Sequence, residues 1–231
     1  TSKLTLRVAK TLGFRQNCRF PTRPKNHTQP NSMGEEEQMT TTTLPVKEAW
    51  DRILDWFKHN TPADKNGLDQ IPGPASPDEI AACEAQLGIA LPASLRESYS
   101  LFNGHMYCRI FDYGYFLSTE EVVRNAIMWR RAVEENDFDS SEIKCSRAIR
   151  RKQWDKGWIP FTNSGSSDHL CIDMNPTKSG VMGQVFRFGR SYGPTKILAN
   201  SFEEFLTLFL NDLESGKYHW SDADTQIMPN V

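Results

Sequence analysis

Four apolar segments in the second half of the chain constrain the fold most strongly. Three of them, at 157–162, 168–174 and 183–188, have the length of buried strands and are separated by polar loops. The fourth begins at Ser201 and repeats apolar residues at helical spacing. These segments predict a small sheet that is closed by a helix, with a weaker fourth strand at 195–199.

The first half of the chain predicts helices. Apolar residues recur at helical spacing from Val46, and capping boxes at Ser76 and Ser118 mark two further helix starts. Helices first, strands next and a helix last is an α+β order, because alternating strands and helices would indicate a parallel sheet. We expect a central mixed or antiparallel sheet with N-terminal helices and a C-terminal packing helix. The remaining predicted elements are a helix from Leu91 and short strands at 109–112 and 115–117.

Charge separates a tail from the rest of the chain. Residues 1–33 hold seven Lys/Arg and no Asp/Glu, whereas the remainder holds 20 basic and 29 acidic residues, a net charge of −9. The domain is therefore expected at 46–220, after a disordered or non-native basic tail at 1–45 and before a flexible C-terminus at 221–231. An acidic domain repels nucleic acid and favours a basic protein partner.

Neither the cysteines nor the apolar runs indicate a metal site, a disulfide framework or a membrane segment. The five cysteines include no C-x-x-C pair and have the wide spacing of reduced intracellular thiols. No run approaches the ~20 apolar residues of a membrane-spanning helix, and no signal-peptide core is visible. We expect a cytoplasmic protein that has no cofactor and contacts neither nucleic acid nor a membrane.

Short motifs follow one another in a fixed order between residues 46 and 215. They include Ser76-Pro77-x-Glu79-Ile80, Leu101-x-Asn103-Gly104, Trp158-x-Pro160-Phe161, Asp168-x-Leu170-Cys171-x-Asp173 and Gly183-Gln184-Val185. Their order and spacing resemble the SUKH superfamily, which contains the fungal Smi/Knr cell-wall-assembly regulators and many bacterial relatives. The resemblance implies an α+β domain that binds proteins and has no enzymatic activity.

The resemblance implies two kinds of function. Bacterial members look like immunity proteins that neutralise toxins, often nucleases or deaminases, whereas fungal members resemble signalling scaffolds. We expect the bacterial type, because the long flanking regions of the fungal type are not in the sequence. The expected partner is a basic toxin domain of the nuclease or deaminase class, bound by a monomer or weak dimer. A regulatory scaffold of Smi/Knr type in cell-wall or stress signalling is the alternative.

A third interpretation, a small metal-dependent hydrolase, depends on the strand at 168–173. His169, Cys171 and Asp173 alternate along this strand and share one face, and each residue type can bind zinc. Successive residues of one strand rarely converge on one ion, however, and no fourth ligand is evident. We therefore predict no catalytic, cofactor-binding or metal-binding residue, with Cys171 in the core and Asp173 capping a turn.

Four residues are candidate partner contacts. Trp56 falls outside the apolar stripe of the first helix, and Asp168 lies in a loop at a strand end. Tyr113 and Tyr115 flank a strand turn, and exposed Trp and Tyr side chains are preferred anchors of protein interfaces. A second set is expected to have structural roles: Asn103, Gly104, Trp158, Pro160, Asp173 and Gly183. Of these, Asn103-Gly104 has the sequence of a left-handed cap at a helix end.

A basic run at 144–152 interrupts the acidic domain. It contains five Lys/Arg within nine residues. We interpret it as the solvated face of a charged helix, and contact with nucleic acid or a phosphate is the alternative.

Overall fold

The computed structural model describes residues 42–105, 107–112, 114–135 and 143–230. In these ranges the helices are α1 Val46–Asn60, α2 Pro77–Leu87, α3 Ala93–Leu101, α4 Thr119–Glu135 and α5 Phe202–Glu214. The strands are β1 Tyr115–Phe116, β2 Trp158–Pro160, β3 Thr162–Asn163, β4 His169–Asp173, β5 Gln184–Gly189, β6 Gly193–Ala199, β7 Tyr218–Ser221 and β8 Gln226–Pro229. The predicted α+β class is confirmed. No helix in these ranges is long and apolar enough to cross a membrane.

The main sheet has four antiparallel strands in the order β2-β4-β5-β6. Strands β4, β5 and β6 follow one another along the chain as they do in the sheet. The chain leaves β2 at Phe161 and forms β3, which pairs with β1 instead of continuing in the main sheet. The remaining two strands, β7 and β8, form a separate hairpin. A predicted central sheet is thus present, and its strands are antiparallel throughout.

Both faces of the main sheet are covered. On one, the helix face, Leu170, Ile172 and Val185 pack in one core with apolar residues of α1, α3 and α5. On the other, the strap face, Phe186 and its neighbours pack around Trp129 of α4. Because both faces are buried, these strands read as continuous apolar runs and not as alternating ones.

Residues 143–156, here called the strap, cross the strap face of the sheet. Ile149 and Trp154 are the buried anchors of the strap, in the same cluster as Trp129. The backbone of the strap bonds to β6 and to the turn between β4 and β5. The interpretation of 144–152 as a helix face is therefore wrong, because the run bends across the sheet without forming a helix.

The predicted strand at 109–112 does not form. Its residues make isolated bridges, and their side chains reach distant parts of the chain. The Arg109 guanidinium donates to the backbone oxygen of Ser164 at 2.6 Å, and Asp112 accepts from Arg187 at 2.7 Å. These long-range bonds hold the segment as a loop.

Asn103 and Gly104 support the start of α4, whereas the sequence predicted a left-handed cap for α3. The helix α3 ends at Leu101, and the residue after it, Phe102, is extended. The Asn103 Oδ1 accepts from the backbone N–H of Thr119 at 2.9 Å. Gly104 has a φ of +85°, and a Cβ at this position would lie 2.5 Å from the backbone nitrogen of Ser118. Both residues therefore act on the helix that follows them.

The domain runs past its predicted boundaries at both ends. Leu44 donates its backbone N–H to Thr207 Oγ1 of α5 at 3.0 Å. Strand β8 lies inside the segment 221–231 that was predicted to be flexible, and its Ile227 is only 1% exposed. The tail prediction for residues 1–41 lies outside the described residues.

Candidate functional site

His169 lies buried on the strap face with both ring nitrogens bonded. Its Nδ1 lies 2.6 Å from the backbone oxygen of Thr162, and its Nε2 accepts from the indole Nε1 of Trp129 at 2.9 Å. The carbonyl can only accept and the indole can only donate, so the ring is held as the neutral Nδ1–H tautomer. Burial is the main reason why the pKa of His169 is lowered to about 4. This ring has no free nitrogen for a metal ion or a substrate proton.

Cys171 and Asp173, on the same strand face, are also occupied in the interior. Cys171 is fully buried, and burial raises the pKa of its thiol well above the usual value. The Asp173 carboxylate accepts from the backbone N–H of Asn175 and from Gln184 Nε2, each at 2.9 Å. Burial raises the pKa of Asp173 although these two bonds lower it. Across the described ranges, no three His, Cys, Asp or Glu side chains are grouped closely enough to hold a metal ion.

Two candidate partner contacts, Tyr115 and Asp168, are linked through a cluster that we call the strand-end surface: Arg109, Tyr115, Asn163, Ser164 and Asp168. The Arg109 guanidinium lies 5.8 Å from the centre of the Tyr115 ring and bonds to the Ser164 backbone oxygen. The Ser164 Oγ accepts from the backbone N–H of Asp168 at 3.2 Å. Pairing of β1 with β3 brings Tyr115 opposite Asn163. This surface is therefore a fixed arrangement of half-exposed polar groups at the end of the sheet.

The Asp168 side chain accepts a hydrogen bond within the domain, and it is also partly exposed. Its Oδ1 accepts from the backbone N–H of Arg190 at 2.8 Å, in the turn between β5 and β6. Trp56 lies apart on α1, where its half-buried ring packs 5.3 Å from that of Phe57. Tyr113 lies outside the described residues. The structure thus brings together two of the four predicted contacts.

The remaining structural-motif residues lie in or beside the main sheet. Trp158 is fully buried on the strap face, with its ring 5.0 Å from that of Phe186. Pro160 ends β2 opposite Cys171. Gly183 has a φ of +92° and donates its backbone N–H to the oxygen of Asp173 at 2.8 Å. These residues hold the sheet and its turns.

An ion pair between Arg187 and Asp112 was missed by sequence reasoning. The Arg187 Nη2 donates to Asp112 Oδ2 at 2.7 Å, and both side chains are about three-quarters buried. Burial raises the pKa of Asp112, and the Arg187 charge opposes this rise. Burial also raises the pKa of the neighbouring Tyr218 to about 12. The signal was Arg187 itself, because a cation inside a buried strand requires a partner.

The chain is similar to three fungal proteins over most of its length. "Cell wall biosynthesis/cell cycle regulator smi1" of Schizosaccharomyces pombe is 26% identical over 199 residues, which cover 79% of this chain and 39% of that protein. "Glucan synthesis regulatory protein" of Neurospora crassa is 25% identical over 218 residues, covering 78% and 40%. "Cell wall assembly regulator SMI1" of Saccharomyces cerevisiae is 23% identical over 212 residues, covering 75% and 41%. The chain therefore spans about two fifths of the length of these relatives.

A family model gives the same relationship for the described domain. The model of the SMI1 / KNR4 family (SUKH-1) matches residues 74–208, from the loop before α2 into α5. This match includes the main sheet, the strap and the strand-end surface. It covers more than half of the chain, so the chain belongs to the SMI1 / KNR4 family (SUKH-1).

Proposed function

We propose that this chain is a non-enzymatic regulatory domain that binds a protein partner in cell-wall assembly. The observation that carries the proposal is the similarity, over more than three-quarters of the chain, to fungal proteins named as cell-wall regulators. The chain spans about two fifths of the length of those proteins. We therefore propose only that this domain contributes binding, and not the whole activity of a relative.

The chemistry of the interior supports binding over catalysis. Burial raises the pKa of Cys83 to about 11 and that of Cys108 to about 12, so neither thiol supplies a thiolate at neutral pH. His169 is neutral with both nitrogens bonded. A nucleophile and a base must meet at an accessible place, and these buried groups do not offer one.

The fungal relatives favour the regulatory role over the toxin-immunity role. None of the names of the three relatives mentions a toxin, and the family description does not mention one either. A basic toxin partner, a cytoplasmic location and a monomeric or weakly dimeric state stay predictions from the sequence. The strand-end surface is the proposed contact for a partner, since Tyr115 is half-exposed there beside the Arg109 cation.

A chimera tests the proposed function. The part of the Schizosaccharomyces pombe relative that matches this chain is replaced by this chain, and growth of cells is measured in the presence of a wall-binding dye. The chimera should restore the resistance of cells that lack the relative, whereas the relative without its matched part should not. Tyr115→Ala in the chimera should weaken the rescue, because an interface tyrosine is lost.

The exposed Tyr107 provides a matched control. It is 49% exposed and lies outside the strand-end surface, so Tyr107→Ala should leave the rescue unchanged. A chimera that is expressed and folded but restores no resistance would count against the regulatory role. Equal effects of the two tyrosine substitutions would count against the strand-end surface as the contact.

A further inference from the structure

Charge is strongly segregated within the acidic domain. The segment 143–199, which contains the strap and strands β2 to β6, holds ten Lys/Arg and three Asp/Glu. The other described residues, at 42–135 and 200–230, hold ten Lys/Arg and twenty Asp/Glu. A net negative charge for the domain therefore conceals a basic region around the main sheet.

Hydrogen bonds fix the strap in place, so its charges have defined positions. The Ser146 backbone N–H donates to the oxygen of Thr195 at 2.9 Å, which attaches the strap to β6. The Ala148 oxygen accepts from the backbone N–H of Thr177 at 3.1 Å and from Gln184 Nε2 at 3.1 Å. The strap is thereby joined to the turn between β4 and β5, residues 174–183. These two segments form one continuous surface, here called the strap surface.

Most of the cations on and beside the strap surface have no carboxylate within ion-pair distance among the residues that the structure describes. Lys152 bonds to the buried Asp155 at 2.9 Å, and Arg187 pairs with Asp112. Within the described ranges, no carboxylate lies within ion-pair distance of these exposed cations: Lys144, Arg147, Arg151, Lys178 and Lys196. Lys144 and Lys196 border an open groove of about 750 Å³ beside β6. An anionic group can therefore approach several cations without displacing a carboxylate of the described residues.

An apolar pair is exposed on the same surface. Val181 is 51% and Met182 is 67% exposed, at the end of the turn that is bonded to the strap. Met and Arg are enriched in protein interfaces, and Met adapts its shape to different partners. The strap surface thus combines cations with a small apolar contact.

We propose that the strap surface is a docking site for an acidic segment of a partner protein, which places an apolar side chain against Val181 and Met182. The inference rests on the proposed protein-binding function, adds a second contact to the one proposed at the strand-end surface, and specifies the chemistry of the partner. Carboxylates on the segment lie beside Arg147 and Arg151, where charge complementarity speeds association and sets the register.

The charge distribution favours a short acidic segment over a nucleic acid or an anionic membrane. A long polyanion extends beyond the Debye length of about 10 Å at 0.1 M salt. It therefore meets the acidic remainder of the domain as well as the strap surface. A short segment interacts with the local cations alone, and its apolar side chain contacts the exposed Val181 and Met182.

Selection of displayed peptides tests the inference. A library of random short peptides is selected against the full-length chain, and a synthetic copy of the enriched peptide is titrated against purified variants. Acidic peptides with an apolar residue should be enriched. Arg147→Glu/Arg151→Glu should weaken binding by at least about tenfold, because two attractive contacts become repulsive. Met182→Ser should weaken it by about twofold to fivefold.

Charge reversal on α1 is the matched control. Lys47→Glu/Lys58→Glu changes the net charge equally, but on a helix that packs on the other face of the sheet. It should change peptide affinity less than about twofold. All variants are used only if their thermal midpoints stay near that of the wild type. Equal losses in the two charge-reversed variants, or enriched peptides without acidic excess, would overturn the inference.

Two further probes test the other polyanions. Single-stranded oligouridylate and phosphatidylserine vesicles are titrated against the same variants. Weak binding that is equal in both charge-reversed variants agrees with the proposal. Tighter binding than that of the peptide, lost in Arg147→Glu/Arg151→Glu alone, would assign the surface to that polyanion and overturn the proposal.

The yeast chimera separates failure of this inference from failure of the proposed function. If the chimera restores resistance and still does so with Arg147→Glu/Arg151→Glu, the regulatory function stands and the strap surface is not its contact. If the chimera restores nothing while the acidic peptides bind at the strap surface, the docking site stands and the cell-wall function fails.

Discussion

At the scale of single residues, His169 ties folding stability to pH. Burial lowers its pKa from 6.5 to about 4. Because the unfolded chain then binds a proton at this site more readily, the stabilisation is complete above pH 6.5 and is lost as the pH falls toward 4. Burial also lowers the pKa of His105, so its contribution to stability depends on pH in the same direction as that of His169. Because burial raises the pKa values of Asp112 and Asp173, these two groups favour the folded state more as the pH falls, opposite to His169.

Replacing His169 by Asn should remove its part of this pH dependence. Asn keeps a side-chain N–H for the Thr162 oxygen but does not titrate. Between pH 7 and pH 5, the wild type should lose about 2 kcal/mol more of its free energy of unfolding than His169→Asn loses. Urea unfolding at the two pH values measures the difference, with the exposed His219→Asn as control. An unchanged pH dependence in His169→Asn would contradict the assigned neutral ring.

Gly114 is required by a close approach of two backbones. Its φ is +116°, and a Cβ would lie 2.1 Å from the backbone oxygen of Asn163. Gly114→Ala should therefore lower the free energy of unfolding by about 1–3 kcal/mol. Gly183 has a comparable φ of +92° but open space around it, so Gly183→Ala should cost less in the same denaturant titration. A smaller loss at Gly114 than at Gly183 would show that the β1–β3 contact yields easily.

At the scale of secondary-structure elements, α5 connects the main sheet to the terminal hairpin. The Phe209 ring lies 5.0 Å from that of Phe111 and 5.9 Å from that of Tyr218. Phe209→Ala should lower the free energy of unfolding by about 3–5 kcal/mol, because a buried aromatic side chain leaves a cavity. Leu208→Ala, on the half-buried side of the same helix, should cost clearly less in thermal or urea unfolding. Similar losses at both sites would mean that α5 packs loosely.

Elements with local signals could be predicted from the sequence. Ser76 caps α2 by accepting from Glu79, and the apolar run from His169 forms β4. The strap and the loop at 109–112 could not be predicted correctly, because long-range bonds decide their conformation. Arg109, for example, lies 55 residues from Ser164, to which it bonds. No local pattern contains that information.

The candidate sites also divide into those with a local sequence pattern and those that depend on long-range contacts. Asp173 at a turn after a strand was recognisable, since the pattern of strand, Asp and Asn-Pro is local. The centre of the strand-end surface, Arg109, was not recognised, because its importance depends on the pairing of β1 with β3. The strap surface was not predicted, because a net charge of −9 is a sum over the domain and does not show that positive residues are concentrated at 143–199.

At the scale of the whole molecule, segregated charge should cause weak self-association. The basic strap surface of one molecule can face the acidic helices of another, and such a contact joins different patches and does not close into a symmetric dimer. Sedimentation equilibrium at about 0.02 M salt should therefore show association that disappears at about 0.5 M salt. Arg147→Glu/Arg151→Glu should reduce it more than Lys47→Glu/Lys58→Glu does. Association that persists at high salt would indicate an apolar contact instead.

Stacked indoles under the strap give the protein an optical probe of its own. The rings of Trp129 and Trp154 lie 5.6 Å apart at an angle of 15°, one on α4 and the other on the strap. Two chromophores this close couple their electronic transitions, so near-ultraviolet circular dichroism reports the distance and angle between helix and strap. Any displacement of the strap changes that spectrum without a chemical label, which makes the movement of a single surface segment visible in the intact protein.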